Sequence, residues 1–156
     1  MGGQVSRLWV CLWQSAAMNS IPDWALAVAS PLDTKMGLDL TELSAERVVG
    51  SIPVEGNQQP FGLLHGGASG VLVETLGSMG ALAYGYPDRA GVGVDLNVTH
   101  VRGVRSGRVT GTATAVHLGR TIVVYAVEIV DDEGRTTATG RLTCHMTALP
   151  GTTPTA

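Results

Sequence analysis

Residues 61–84 read FGLLHGGASGVLVETLGSMGALAY. A Gly-rich entry leads into a long helix-compatible body of small and apolar residues. From Ala68 to Tyr84 that body carries one charged side chain, Glu74. A helix that is apolar on nearly every face is expected to be buried, which makes Glu74 a carboxylate on a core helix. Placing a carboxylate in an apolar setting costs several kcal/mol unless it is paired, solvated or used. Glu74 is therefore the first candidate for chemistry.

His65, Gly66 and Gly67 stand where the first backbone N–H groups of such a helix lack intrahelical acceptors. Those donors and the positive end of the helix dipole suit a carbonyl oxygen that becomes an oxyanion. The two glycines allow close approach to the backbone. Glu74 follows Gly66 by eight residues, roughly 12 Å along the axis at about 1.5 Å per residue. One helix cannot bring its own Glu74 to a substrate held at its own N-terminus. Two antiparallel copies could exchange carboxylates, so a catalytic pair requires at least a dimer. Ser78 shares a helix face with Glu74 and is placed to orient the carboxylate or a water. The same features also fit a plain turn and cap, with the glutamate facing a water-filled groove or a structural network.

Outward from this helix, the 156 residues are expected to form one domain, 18–149, between a non-essential N-terminal extension, 1–17, and a flexible tail, 150–156. Hydrophobic residues make up 44% and charged ones 15%, which points to a heavily buried or oligomeric protein rather than a disordered one. A net charge of −3 without a basic run argues against a nucleic-acid partner. No run approaches the roughly 20 apolar residues of a membrane span. Cys11 and Cys144 lack metal-ligand spacing and fit a reduced, cytoplasmic setting. A short helix is predicted from Ser20, ended by Pro31. Two strands are predicted in MGLDLTEL and ERVVGSIPV, a loop over 56–62, and a helix end at Gly85. Four alternating or β-branched stretches then follow, over 92–102, 109–118, 121–130 and 135–146. Two strands, a long helix and four more strands make an α+β order, with a strongly curved antiparallel sheet of about six strands wrapped around the helix.

Other side chains widen the candidate site. His65 at the helix entry is placed to hydrogen-bond a substrate, or simply to cap. His100 lies in a strand beside Arg102, Arg105, Ser106 and Arg108, a short span that offers phosphate donors, or a solvated strand end. His117 and His145 receive no role. No His or Cys spacing suggests a metal, and Gly67-Ala68-Ser69-Gly70 misses the spacing of a nucleophile elbow by one residue.

Three stretches in register, 59–69 (QPFGLLHGGAS), 74–78 (ETLGS) and 100–107 (HVRGVRSG), resemble the hotdog-fold thioesterases. The similarity is to the branch acting on aryl- and acyl-coenzyme A, which includes the enterobactin proofreading and phenylacetate-pathway enzymes. The resemblance spans 21–147 and implies a helix enclosed by a curved sheet, with active sites at the interface of a homodimer, itself often paired into a homotetramer. It implies that the Gly66 N–H polarises the thioester carbonyl, assisted by Gln59 and His65. Glu74 of the partner would be nucleophile or general base. Ser78 and His100 would line the acyl end, Gly67 would lie against the substrate, and Arg102, Arg105 and Ser106 would meet coenzyme A phosphates or a carrier-protein phosphopantetheine. No cofactor is implied, since an activated thioester needs only an oxyanion donor and a carboxylate. Two rival expectations stand beside hydrolysis: a hotdog-fold hydratase or dehydratase, and a non-catalytic acyl-coenzyme A-binding protein.

Overall fold

The computed structural model describes residues 21–26 and 30–149. Two short helices, α1 (Asp23–Leu26) and α2 (Pro31–Met36), precede β1 (Asp39–Leu43) and β2 (Arg47–Pro53). The long helix α3 (Gly66–Gly85) follows, then β3 (Arg89–His100), β4 (Arg108–Leu118), β5 (Ile122–Asp131) and β6 (Thr136–Ala148). All strand pairs are antiparallel, in one six-stranded sheet ordered β1-β2-β4-β5-β6-β3. Register shifts interrupt four of the five pairings, at 40/42, 93/95, 115/117 and 129/130. Such bulges bend strands and increase twist, and this sheet curls around α3. The sheet and central helix are those expected from the sequence.

Alternation explains the inner face. Val109, Ala113, Val123, Tyr125, Val127, Ile129, Leu142 and Cys144 point inward and are buried against Leu72, Val73 and Leu76 of the helix. Each large apolar side chain so buried contributes about 1.5–3 kcal/mol. Helix and sheet also touch through residues that lack side chains. A Cβ at Gly77 would lie 2.6 Å from a Leu142 methyl, and one at Gly111 would lie 2.6 Å from a Leu76 methyl.

Two expectations change. Pro31 does not end a helix. It opens α2, with Ser30 as N-cap accepting from the N–H groups of Leu32 and Asp33; proline suits a first helical position, where its missing N–H is not needed. The Ser20 cap, the N-terminal extension and the tail fall outside the described residues. The second change concerns α3, which is buried on one side only. Glu74, Thr75, Ser78, Met79 and Leu82 are half-buried, so Glu74 lies at the rim of the core. α2 crosses part of this face, where Thr75 donates its hydroxyl to Asp33 at 2.8 Å. The rings of Trp24 and Tyr86 stack with centroids 4.6 Å apart, holding α1 over the end of the helix.

The turn between β5 and β6 is fastened by Asp131. Burial alone would raise its carboxyl pKa. The N–H groups of Arg135 and Glu133 at 3.0 Å and the Arg135 guanidinium at 2.8 Å outweigh that and hold it below the ordinary carboxylate value. A folded-state pKa below the unfolded one contributes stability above about pH 4 that is lost as pH falls through the lowered value. Asp131→Asn is therefore expected to lower Tm at neutral pH, with the gap to wild type narrowing in thermal melts taken progressively below about pH 4.

Candidate functional site

The loop between β2 and α3 is pinned before the helix begins. Asn57 donates its side-chain amide to the carbonyls of Met36 and Pro53, each at 2.9 Å, and its own carbonyl accepts from His65 at 2.8 Å. The Leu64 N–H reaches the Val104 carbonyl at 2.8 Å, which draws the segment after β3 against the same loop. Between them lies a cavity of about 390 Å³ lined by Gln59, Leu63, Gly66, Ser69, His100 and Arg102.

The donors of this cavity can be assigned one by one. His65 is the N-cap of α3, and its Nδ1 accepts the Gly67 N–H at 2.8 Å. The neutral ring therefore carries its proton on Nε2. The Gly66 N–H has no acceptor among the described residues, so it stands available at the positive end of a 20-residue helix. His100 lies over Gly66, with Nε2 3.1 Å from its carbonyl oxygen. Gln59 accepts the Phe61 N–H on its side-chain oxygen, which leaves its amide NH2 to donate. Gly66, Gln59 and His100 thus converge, while Gly67 has already given its N–H to His65.

The basic stretch is divided. Arg102 lines the cavity, and its side chain makes no hydrogen bond or ion pair among the described residues. Arg105 donates to the Phe61 carbonyl at 3.1 Å. Ser106 is exposed beside it. Arg108 is structural: its guanidinium binds Ser51 and the Gly37 carbonyl.

Glu74 is elsewhere. It lies in a shallow groove with Ser78, Thr75, Met79 and Gly91, and Ser78 donates to its Oε1 at 3.4 Å. Its carboxylate rests over Gly93 of β3. A Cβ at Gly93 would lie 3.1 Å from the carboxyl carbon, 3.2 Å from Oε2 and closer still to Oε1. The carboxylate occupies the space that a side chain at 93 would fill. Cys144, paired with Gly93 on β6, is no nucleophile: burial, with the Glu74 charge adding, pushes its thiol up to about 11. Ser69, Asn57 and Gly93 were not read from the sequence as site residues. Ser69, within HGGAS, is the one whose motif position could have suggested it.

One protomer thus holds an oxyanion-type donor set in one cavity and its carboxylate in another groove. Beside Glu74, β3 is an open sheet edge with Val92, Val94 and Leu96 exposed by 55%, 60% and 45%. Long apolar edges of this kind are protected in stable proteins by pairing or covering. No helix among the described residues is long and apolar enough to cross a membrane.

Comparison with known proteins shows the family to which this fold belongs. The thioesterase superfamily model matches residues 61–138. A proofreading thioesterase of Klebsiella pneumoniae is 43% identical over 108 residues, covering 69% of this chain and 79% of its own. A 1,4-dihydroxy-2-naphthoyl-CoA hydrolase of Escherichia coli is 44% identical over 94 residues, covering 60% of this chain and 69% of its own. Among solved structures, a thioesterase of Pseudomonas aeruginosa superposes with a TM-score of 0.76 at 37% identity, over 83% of this chain and 97% of that one.

The cap at the head of the site is open to test. His65→Ala is expected to lower the unfolding free energy by about 1 kcal/mol in urea titrations. His65→Asn, which keeps an acceptor for the Gly67 N–H, should recover most of it.

Proposed function

Because the chain belongs to the thioesterase superfamily, we propose that it hydrolyses an acyl- or aroyl-coenzyme A thioester, in a site that two copies share. The observation that carries this reading is the unclaimed Gly66 N–H. It sits at a helix N-terminus within one cavity with Gln59 and His100, where a thioester oxygen could take both the backbone and the Gln59 amide proton. In a tetrahedral intermediate that oxygen becomes an anion, and donors fixed in advance stabilise it more than they stabilise the ground state.

Glu74 comes from the partner. In the paired arrangement β3 edges lie against each other and the half-buried faces of two α3 helices meet, which covers Val92, Val94 and Leu96 and brings each Glu74 toward the other copy's Gly66. The carboxylate attacks the carbonyl carbon, or takes a proton from the water that does. After direct attack the carbon–sulfur bond breaks, the thiolate leaves and takes a proton from solvent, and water then cleaves the anhydride between the acyl group and Glu74 to release the acid. After attack by water the carbon–sulfur bond breaks and the proton held by Glu74 passes to the leaving thiolate. Ser78 orients the carboxylate, His65 holds the loop that presents Gly66, and Gly67 anchors that histidine. Arg102, with Arg105 and Ser106 nearby, meets the phosphates of coenzyme A or of a carrier-protein phosphopantetheine. The hydrolase named for a coenzyme A thioester among the relatives supports the first of these. A hydratase would need a histidine free to work with the acid at one reacting carbon; here His65 Nδ1 is committed to the Gly67 N–H and His100 Nε2 lies 3.1 Å from the Gly66 carbonyl oxygen.

Free-thiol release from a panel of acyl-coenzyme A substrates tests the assignment. Glu74→Ala and Glu74→Gln are expected to lose on the order of 10²–10⁴-fold in kcat while keeping Tm and assembly state; near-wild-type turnover would end the reading. The sharing of sites has its own test. Gly66→Pro removes the N–H at a helix position that tolerates proline. Co-expressed with Glu74→Ala it should regain activity that neither variant has alone, and a lack of recovery would overturn the sharing of one site by Gly66 and the partner's Glu74. Gly93→Ala should displace the Glu74 carboxylate and lower kcat with little change in KM, the mark of a positioning residue.

A further inference from the structure

The open face of α3 carries a second polar device one residue beyond Glu74. Asp33 of α2 accepts the Thr75 hydroxyl proton on Oδ1 at 2.8 Å, and its Oδ2 has no partner among the described residues. This pair stands between two spaces. On one side is the groove of Glu74 and Ser78. On the other is a cavity of about 280 Å³ whose walls include Ile21, Leu38, Leu40 and Met79. Asp33, Thr75, Ser30 and Met79 line both. A chain that leaves the reacting carbon near Glu74 and runs on over the same helix meets Asp33 before it enters the apolar cavity.

The chemistry at that point is one-sided. Thr75 has given its proton to Asp33, so its oxygen offers only lone pairs, as does Asp33 Oδ2. Ser30 Oγ already accepts two backbone N–H groups, which fills its lone pairs and leaves its own proton as the single hydroxyl donor there. Asp39 adds a second carboxylate to the cavity lining, which includes no Lys, Arg or His. Acceptors that outnumber the one neutral donor, with two carboxylates among them, favour a ligand that brings a donor of its own, and charge-assisted hydrogen bonds are the stronger kind. A second carboxylate brought to the same place would be repelled.

We propose that Asp33 sets the specificity of the acyl end, selecting acyl groups that carry a hydrogen-bond donor, hydroxyl or ammonium, on the distal part of the chain and rejecting those that end in a carboxylate. The inference rests on the thioesterase reading above and adds to it a class of substrate.

The test compares kcat/KM for hexanoyl-coenzyme A with its ω-amino, ω-hydroxy and ω-carboxy counterparts, and repeats the comparison on the octanoyl series. Wild type should favour a donor-terminated chain over the ω-carboxy chain by about tenfold or more. Asp33→Ala should collapse that ratio toward unity. Asp33→Asn, which keeps an acceptor for Thr75 but turns an NH2 donor in place of Oδ2 toward the ligand, should lose the preference for ammonium and admit the ω-carboxy chain. The two variants report on fold as well as on charge, so a poorly folded alanine variant leaves the asparagine comparison to decide. Hydrolysis of all four tails at similar rates in both series, or a ratio unmoved in both variants, would overturn the role of Asp33 and leave the thioesterase reading standing. Failure to hydrolyse these or any other thioester would overturn both.

Discussion

The contact between α3 and the sheet governs everything else in this protein. At Gly77 and Gly111 the helix and strands approach so closely that one added carbon would overlap a leucine methyl. Interiors packed at that density do not yield to small volume changes, so the rotation of the helix about its axis is fixed. Leu72, Val73, Leu76 and Ala81 must face the sheet, and Glu74, Ser78 and Leu82 must face away from its centre. The position of the carboxylate thus follows from packing elsewhere on the same helix. Its local rest is set by the same device, since β3 has no side chain at Gly93 where the carboxylate lies.

The same rigidity separates the two halves of the chemistry we propose. The N-terminus of α3 ends in the cavity of Gln59 and His100, and Glu74 lies two turns further along. A helix cannot fold back on itself, so no rearrangement within one copy short of breaking α3 would join them. The exposed apolar edge at β3 is then more than a liability. In the dimer we propose, it is the surface through which a second copy supplies the missing group, and the small, apolar, half-buried residues of α3 form the other half of that surface.

Most of this was legible in the chain. The fold came from periodicity, since β-branched alternation and an apolar helix of this length leave few ways to hide both. The candidate site was legible where it rests on backbone geometry: HGG at a helix entry, and a single acid two turns later. What stayed hidden has physical causes. Pro31 reads equally as a stop or as a first helical residue, and only the Ser30 cap decides. An apolar helix surface has the same sequence signature under a sheet or under another protomer, so Glu74 was expected in the core and lies at its rim. Gly93 acts by the absence of a side chain, and Asn57 through carbonyls far away in sequence; neither leaves a pattern that local reading can find. Arg108 looked like a member of a phosphate-binding cluster, yet its guanidinium closes the gap between β2 and the end of α2.

The division of labour along the chain bears on how such a protein changes substrate. Gly66, Glu74, Ser78, His100 and Arg102 all lie within 61–138, the span that matches the superfamily. These residues are also tied to α3 or to the strands that grip it. The walls of the cavity behind Asp33 come largely from residues 21–40, before that span. α1 and α2 are short, touch the rest through Trp24, Asp33 and Met36, and carry little of the core beyond Ala25 and Met36. A substitution there alters the cavity without moving Gly66 or Glu74. A change of one methylene discriminates by only about 1–3 kcal/mol, whereas a buried polar group left without its partner discriminates more strongly. On the proposed assignment, the acyl group is best selected by placing a charged or polar side chain on α2, at the threshold where Asp33 stands, while the helix that carries Glu74 stays locked in its sheet.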